Sequence, residues 1–195
     1  MTDAPTQVRS QPITILGVSG SLRQVSFNTM LLRAGGGYLE GSAGFEVHDL
    51  ADIPLYNEDL DGDDKPASVV AWLRALDAAD AVLFATPEFN HSISGALKNA
   101  IDWASRPAFE SVLANKPAGI LSASMSPVGG ARAQMHLKDI LASTLTPVYP
   151  VPDYLLPMAQ NAFDAAGVLT DATASRRLQR YVTGFVAWAA TVRPG

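Results

Sequence analysis

The 195-residue chain contains no cysteine. That excludes disulfides, thiolate metal sites and thiol redox chemistry, so any oxidation and reduction must be carried by a cofactor. Histidine is sparse: His48, His91 and His136 are scattered without HExxH or another ligand spacing, and no protein metal site is expected. Positive charge is short as well. With 14 Lys and Arg against 19 Asp and Glu, the net charge is -5 and the pI about 5.0, which argues against a general nucleic-acid partner. No run approaches the roughly 18 to 20 apolar residues of a membrane span, so no membrane partner is expected. Repeats, low-complexity tracts and linkers are also lacking, and a single domain over 1–195 is expected. Met1 to Gln11 is polar with no hydrophobic centre; it reads as a flexible leader rather than a signal peptide, in keeping with a cytoplasmic location.

What is present is the composition of an ordinary globular protein, 48% hydrophobic and 17% charged, long enough for a sizeable core. Its organising stretch is ATPEFNHSISGALKNAIDWASRP, Ala85 to Pro107. The apolar run Ala81 to Phe84 reads as a buried strand that breaks at Pro87 and passes through polar residues before a helix begins. Ser94 suits the N-cap, Leu97, Ala100, Ile101 and Ala104 follow at helical spacing, and Pro107 ends the helix near Ser105. Pro87 to Ser92 thus forms a short platform at the mouth of a sheet, where open α/β sheets place a ligand.

Ahead of it, Ile13 to Val18 reads as a first buried strand and leads into GVSGSLRQVSFN, Gly17 to Asn28. Small residues there let backbone N–H groups approach a ligand, Ser19, Ser21, Ser26 and Asn28 bring hydroxyl and amide donors, and Arg23 brings a cationic fork. A helix starting near Ser26 offers its positive N-terminus to a phosphate. The glycine order is neither GxGxxG nor GxxxxGK[ST], so the loop suits a terminal phosphomonoester rather than a dinucleotide or nucleoside triphosphate. Gly35 to Gly37 should fray or stop that helix.

Further strands are expected at Phe45 to Asp49, Lys116 to Ser122 and, at a sheet margin, Pro147 to Val151. Helices are expected at Ala67 to Asp77, at Ala131 to Leu145 with Met135, Leu137, Ile140, Leu141 and Leu145 as its buried stripe, and at Ala172 to Val192. The alternation predicts an α/β doubly wound, five-stranded parallel sheet of flavodoxin-like order, 2-1-3-4-5. His136 reads as a packed or surface residue, and Lys98 with Asp102 as a solvated i, i+4 pair.

GSLRxxSxN at Gly20 to Asn28, ADIPLYNED at Ala51 to Asp59, TPEFNxSxxGxLKNAIDWxSRP at Thr86 to Pro107 and SMxxxGGARAQxxL at Ser124 to Leu137 together resemble the NADPH-dependent FMN reductase family, which includes quinone, azo-dye and chromate reductases. The resemblance implies a flavodoxin-like fold binding FMN, with NADPH or NADH as co-substrate. It places Ser19, Ser21, Arg23, Ser26 and Asn28 at the FMN phosphate and Pro87, Glu88, Phe89, Asn90, His91 and Ser92 at the isoalloxazine ring, bordered by Ser124 and the Gly129–Gly130 turn. Phe89 stands where the family commonly has Tyr, and Ser94 where it commonly has Pro.

Hydride then passes from nicotinamide through flavin N5 to a quinone, flavin, azo or metal-oxyanion acceptor, and no side chain has to act as a catalytic group. Glu88 is expected to turn its carboxylate away from the ring, since it would oppose the charge of reduced flavin, and to reach a partner subunit. Trp103 and Arg106 are expected at a subunit contact of a homodimer or homotetramer. Two other readings stay open at this point: an FMN-binding electron carrier without nicotinamide activity, and a phosphate-binding scaffold domain.

Overall fold

The computed structural model describes residues 12–192, so the expected leader at 1–11 lies outside them. The elements run β1 (Thr14–Ser19), α1 (Phe27–Gly37), β2 (Gly44–His48), α2 (Ala67–Ala78), β3 (Ala81–Thr86), α3 (Gly95–Ala104), β4 (Ala118–Ala123), α4 (Ala131–Ser143), β5 (Tyr154–Leu156) and α5 (Ala172–Val192). Every strand pairing is parallel, in the order β2-β1-β3-β4-β5. This is the expected flavodoxin-like arrangement.

β3 and β4 are buried along their whole length, as continuous apolar strands covered on both faces must be. Alternate side chains feed two cores. Ile15, Leu83 and Leu121 pack with α1 and α5 on one face, while Leu16, Val18, Val82 and Phe84 pack with α2, α3 and α4 on the other. Trp72 is fully buried there, and its indole N–H donates to the Ala100 carbonyl at 2.8 Å, joining α2 to α3.

Three expectations need correction. α1 runs on through Gly35 and Gly36 and stops only at Gly37, the last residue of the expected stretch, with Tyr38 as its C-cap. Phe45 of β2 lies against this turn and against Gly17, and a Cβ at Gly36 would overlap its ring, so the glycines admit a close helix–strand approach that outweighs their poor propensity. The last strand is Tyr154–Leu156 rather than 147–151, where Val148 makes only an isolated bridge to Ala118. Pro147, Pro150 and Pro152 have no N–H to give a ladder, whereas Tyr154 to Leu156 pair with Leu121 to Ala123. Finally, Met135 and Leu145, assigned to the buried stripe of α4, are 62% and 46% exposed. Leu145 has already left the helix in a left-handed conformation, φ 59°.

Candidate functional site

The chain turns from one half of the sheet to the other between β1 and β3, and the loops leaving the carboxyl ends of β1, β3 and β4 meet there. Gly20 N–H donates to the Ala85 carbonyl at 2.8 Å, and the Ser94 hydroxyl donates to the Gly20 carbonyl while accepting from Leu97 N–H as the cap of α3. A proline at this position could not make that bond, so Ser94 ties the first loop to the third helix. A Cβ on Gly20 would press on Leu97, Pro87 and Ser94 at 3.2 Å, which explains glycine there.

In the first loop Ser26 caps α1, its hydroxyl accepting from Thr29 N–H at 3.3 Å. Phe27 and Asn28 therefore present backbone N–H groups that bond no acceptor among the described residues. Ser21 and Arg23 stand at the mouth with their side chains likewise unbonded among the described residues, and no acidic residue lies in the first turn. Ser19 lies beneath, its hydroxyl 2.8 Å from that of Thr29 and accepting from Ser21 N–H at 3.3 Å. This donor set, rich in N–H and hydroxyl groups with one guanidinium and no carboxylate, fits a phosphomonoester dianion.

Asn28 departs from its expected role. Its side chain is 4% exposed and clamps the end of β4, with Nδ2 donating to the Ala123 carbonyl and Oδ1 accepting from Ala123 N–H, both at 2.9 Å. Oδ1 and one Nδ2–H are committed to the strand, and the second Nδ2–H and the backbone N–H have no acceptor among the described residues.

The platform is a tight hairpin. Phe89 and Ser92 exchange both backbone hydrogen bonds at 2.9 Å, and Asn90 and His91 between them have φ of 49° and 66°. Two successive positive φ values define a type I′ turn, which Asn tolerates and His adopts only because the bridge holds it. The turn leaves Asn90 and His91 N–H without acceptors among the described residues, facing outward as donors. Pro87 is buried at its root, where the Thr86 hydroxyl donates to the Pro87 carbonyl at 2.9 Å, and the Phe89 ring is 54% exposed.

Glu88 does turn away, but to its own chain rather than a partner. Its carboxylate accepts from Arg132 Nη1 at 2.7 Å and Arg132 N–H at 3.1 Å at the start of α4, which has no side-chain cap of its own. Burial works to raise the Glu88 carboxyl; the hydrogen bonds and charge of Arg132, with Ala133 N–H, outweigh it and hold the group below the usual glutamate range. Arg132 was missed by the sequence reasoning. Its signal was a cation in the first turn of a helix, where the dipole is unfavourable unless an acid compensates.

The Gly129–Gly130 turn has φ of 67° and 90°, and a Cβ on Gly130 would lie 2.7 Å from Ser122 Cβ. Beneath it the Ser122 hydroxyl donates to Gly129 O at 2.7 Å, and buried Gln134, also unforeseen, donates to Ser122 Oγ and to Tyr154 O, both at 2.8 Å. Ser124 bonds Ser126 at 3.1 Å beside the turn. Ser92 meets His136 Nδ1 at 3.1 Å, and Lys98 and Asp102 form the expected surface pair at 2.7 Å. Trp103 is corrected: it is fully buried, its indole N–H donating to Pro54 O at 2.8 Å, and is unavailable to a subunit contact. Asn99 holds the same 51–61 loop, accepting from Tyr56 N–H at 2.7 Å and donating to Pro54 O at 2.8 Å. Arg106 stays exposed over the Tyr56 ring at 5.7 Å.

A doubly wound sheet with an acid-free anion loop beside a rigid donor turn at its switch point defines a flavodoxin-like mononucleotide-binding protein. The family model for NADPH-dependent FMN reductase matches residues 13–188, and the chain belongs to that family, whose cofactors are FMN and NAD(P)H. It is 44% identical over 186 residues to an NAD(P)H-dependent FMN reductase of Pseudomonas aeruginosa, covering 94% of this chain and 99% of the relative. A quinone reductase of Pseudomonas putida is 35% identical over 179 residues, covering 92% and 96%. Among solved structures, the flavoenzyme NAD(P)H:(acceptor) oxidoreductase FerB of Paracoccus denitrificans superposes with a TM-score of 0.86 at 35% identity, over 93% of this chain and all 100% of that one.

Proposed function

We propose that this protein is a single-domain, FMN-dependent NAD(P)H oxidoreductase that reduces quinones, working in the cytoplasm as a homodimer or homotetramer. The observation that carries the reading is the pairing of the two donor sets: the free N–H groups of Phe27 and Asn28 with Ser21, Ser26 and Arg23 for the phosphate, and the free N–H groups of Asn90 and His91 for the ring. Bound FMN supplies the hydride chemistry.

The chain's own residues bind and orient. Arg23 and the start of α1 neutralise the phosphate charge, while the Phe89–Ser92 hairpin offers N–H dipoles where negative charge develops on reduction. Glu88, pinned to Arg132, keeps its carboxylate off the ring and fixes the hairpin against α4. The half-exposed Phe89 offers an apolar shelf to a flat acceptor at the rim. Quinones are favoured as acceptors by the names of the relatives above, and exposed Phe89, Met125 and Met135 supply apolar surface for a subunit contact.

The test is steady-state consumption of NADPH and NADH by FMN-loaded protein with a benzoquinone acceptor, alongside its visible spectrum. Turnover with a bound yellow chromophore is expected. Bound FMN with no nicotinamide oxidation would make it an electron carrier, and a colourless protein that takes up no FMN would remove the assignment.

A further inference from the structure

A cavity of about 330 Å³ lies at the β5 edge of the sheet, between α5 and the segment leading into β5. It is separate from the flavin loops, which leave the carboxyl ends of β1, β3 and β4. Its lining includes the half-buried Tyr149 and Val151 and the exposed Pro152, backed by the buried Tyr154 and Tyr181, with the exposed Arg177 and Arg180 beside them, three residues apart on one face of α5.

The two guanidiniums are largely unspent. The Arg180 guanidinium makes no hydrogen bond or ion pair among the described residues, and the backbone carbonyl of Arg180 accepts from the Thr183 hydroxyl at 3.3 Å. Arg177 reaches Leu155 O only at 3.4 Å and lies over the Tyr154 ring at 5.3 Å. Asp153, the carboxylate on the lining, is neutralised by Lys138 at 2.5 Å. The aromatic wall is rigid and carries no charge of its own. Tyr149 packs on Tyr181, Phe185 and Trp188 at 5.4, 5.9 and 5.4 Å, and Gly184 leaves room for its phenol, which a Cβ would overlap. Burial pushes the Tyr154 phenol up to about 12 and raises Tyr181 further, so both stay neutral at physiological pH. The Tyr154 hydroxyl donates to Ala174 O at 3.0 Å, and that of Tyr181 accepts from Ile120 N–H at 2.9 Å, so both are already engaged.

We propose that this cavity binds a small planar aromatic carboxylate, its ring against Tyr149, Val151 and Pro152 and its carboxylate on Arg177 and Arg180. Flat hydrocarbon walls select a ring, and two guanidiniums with free donors select an anion of fork-compatible geometry. An inorganic anion leaves the walls unfilled, and a neutral arene leaves the cations unpaired.

The experiment is an NMR titration of the full chain, FMN-free and FMN-saturated, with benzoate, benzamide and sulfate as probes. Benzoate is expected to saturate, shifting the Tyr154 and Arg180 amides equally in both forms, with benzamide and sulfate at least tenfold weaker. The exposed-residue variant R177A/R180A should lose benzoate binding at least tenfold while keeping the parent FMN affinity. The proposal is overturned if benzoate produces no saturable shift, or if the double variant binds it as the parent does. It is equally overturned if FMN displaces benzoate, which would put the acid in the flavin cleft. A loss of binding in the variant accompanied by a change in sedimenting mass would also overturn it, since the arginines would then serve a contact between copies.

Discussion

Asn28 to Ala separates a structural clamp from a ligand contact. The Asn28 amide makes two hydrogen bonds to the Ala123 backbone, both at 2.9 Å, from a side chain only 4% exposed. Truncation leaves the N–H and carbonyl of Ala123 without those partners where water has little access. Two lost bonds at about 1 kcal/mol each, plus part of the desolvation penalty of the orphaned groups, give about 3 kcal/mol. For a chain of this size, about 2–4 °C of melting temperature accompanies each kcal/mol, so the FMN-free variant should melt about 6–12 °C lower. Urea titration of the FMN-free protein should give the same loss with an unchanged slope. FMN affinity, by direct fluorescence titration, should change less than tenfold because the backbone N–H remains. A variant that melts with the parent but binds FMN more than tenfold weaker would refute the clamp and return the amide to the phosphate site.

Arg23→Ala should show the opposite pattern: FMN binding falls about 10- to 100-fold, the equivalent of about 1.5–3 kcal/mol for a hydrogen bond to a charged group, while FMN-free stability is unchanged. Gly36→Ala should destabilise by about 1–3 kcal/mol in chemical denaturation despite better helix propensity, because its methyl meets Phe45; adding Phe45→Leu should recover part of the loss. Glu88→Gln should cost about 1 kcal/mol at neutral pH through lost charge at the α4 N-terminus. Since the folded Glu88 carboxyl titrates below its ordinary 4.5, its contribution is full above that value and lost as pH falls through the folded one, so parent and variant stabilities should converge in acid. His48, whose imidazole is lowered from 6.5 by burial, against the opposing pull of Glu46 and Asp49, packs on Trp72 at 5.1 Å. Its protonation opposes folding, so stability should fall as pH drops below 6.5, and His48→Gln should flatten that slope in pH-dependent melting curves.

Much of this site was readable in the chain because its signals are local. Ser94 was legible as a cap by residue type, one step before a periodic apolar face, and the helix expected to start near Ser26 does start there, with Ser26 itself as its cap. The alternation of buried strands and helices was enough for the sheet order. Side-chain partnerships across the fold were not readable. Asn28 carries the same amide whether it faces a phosphate or Ala123, 95 residues away, and Glu88 reaches Arg132 across a separation of 44. Trp103 looked like a surface anchor because nothing in its helix reveals that the 51–61 loop folds back to cover it.

The sequence by itself determined the βα alternation, the donor-rich and acid-free first loop and the polar hairpin after the third strand, because each follows from short-range periodicity, capping and turn chemistry. Tertiary structure decided which polar groups remain free. A strand end claims Asn28, a helix start claims Glu88, and a β-strand phenylalanine dictates the glycine at position 36 of a helix. Those outcomes depend on close packing and hydrogen-bond satisfaction between elements distant in the chain, which no local pattern encodes.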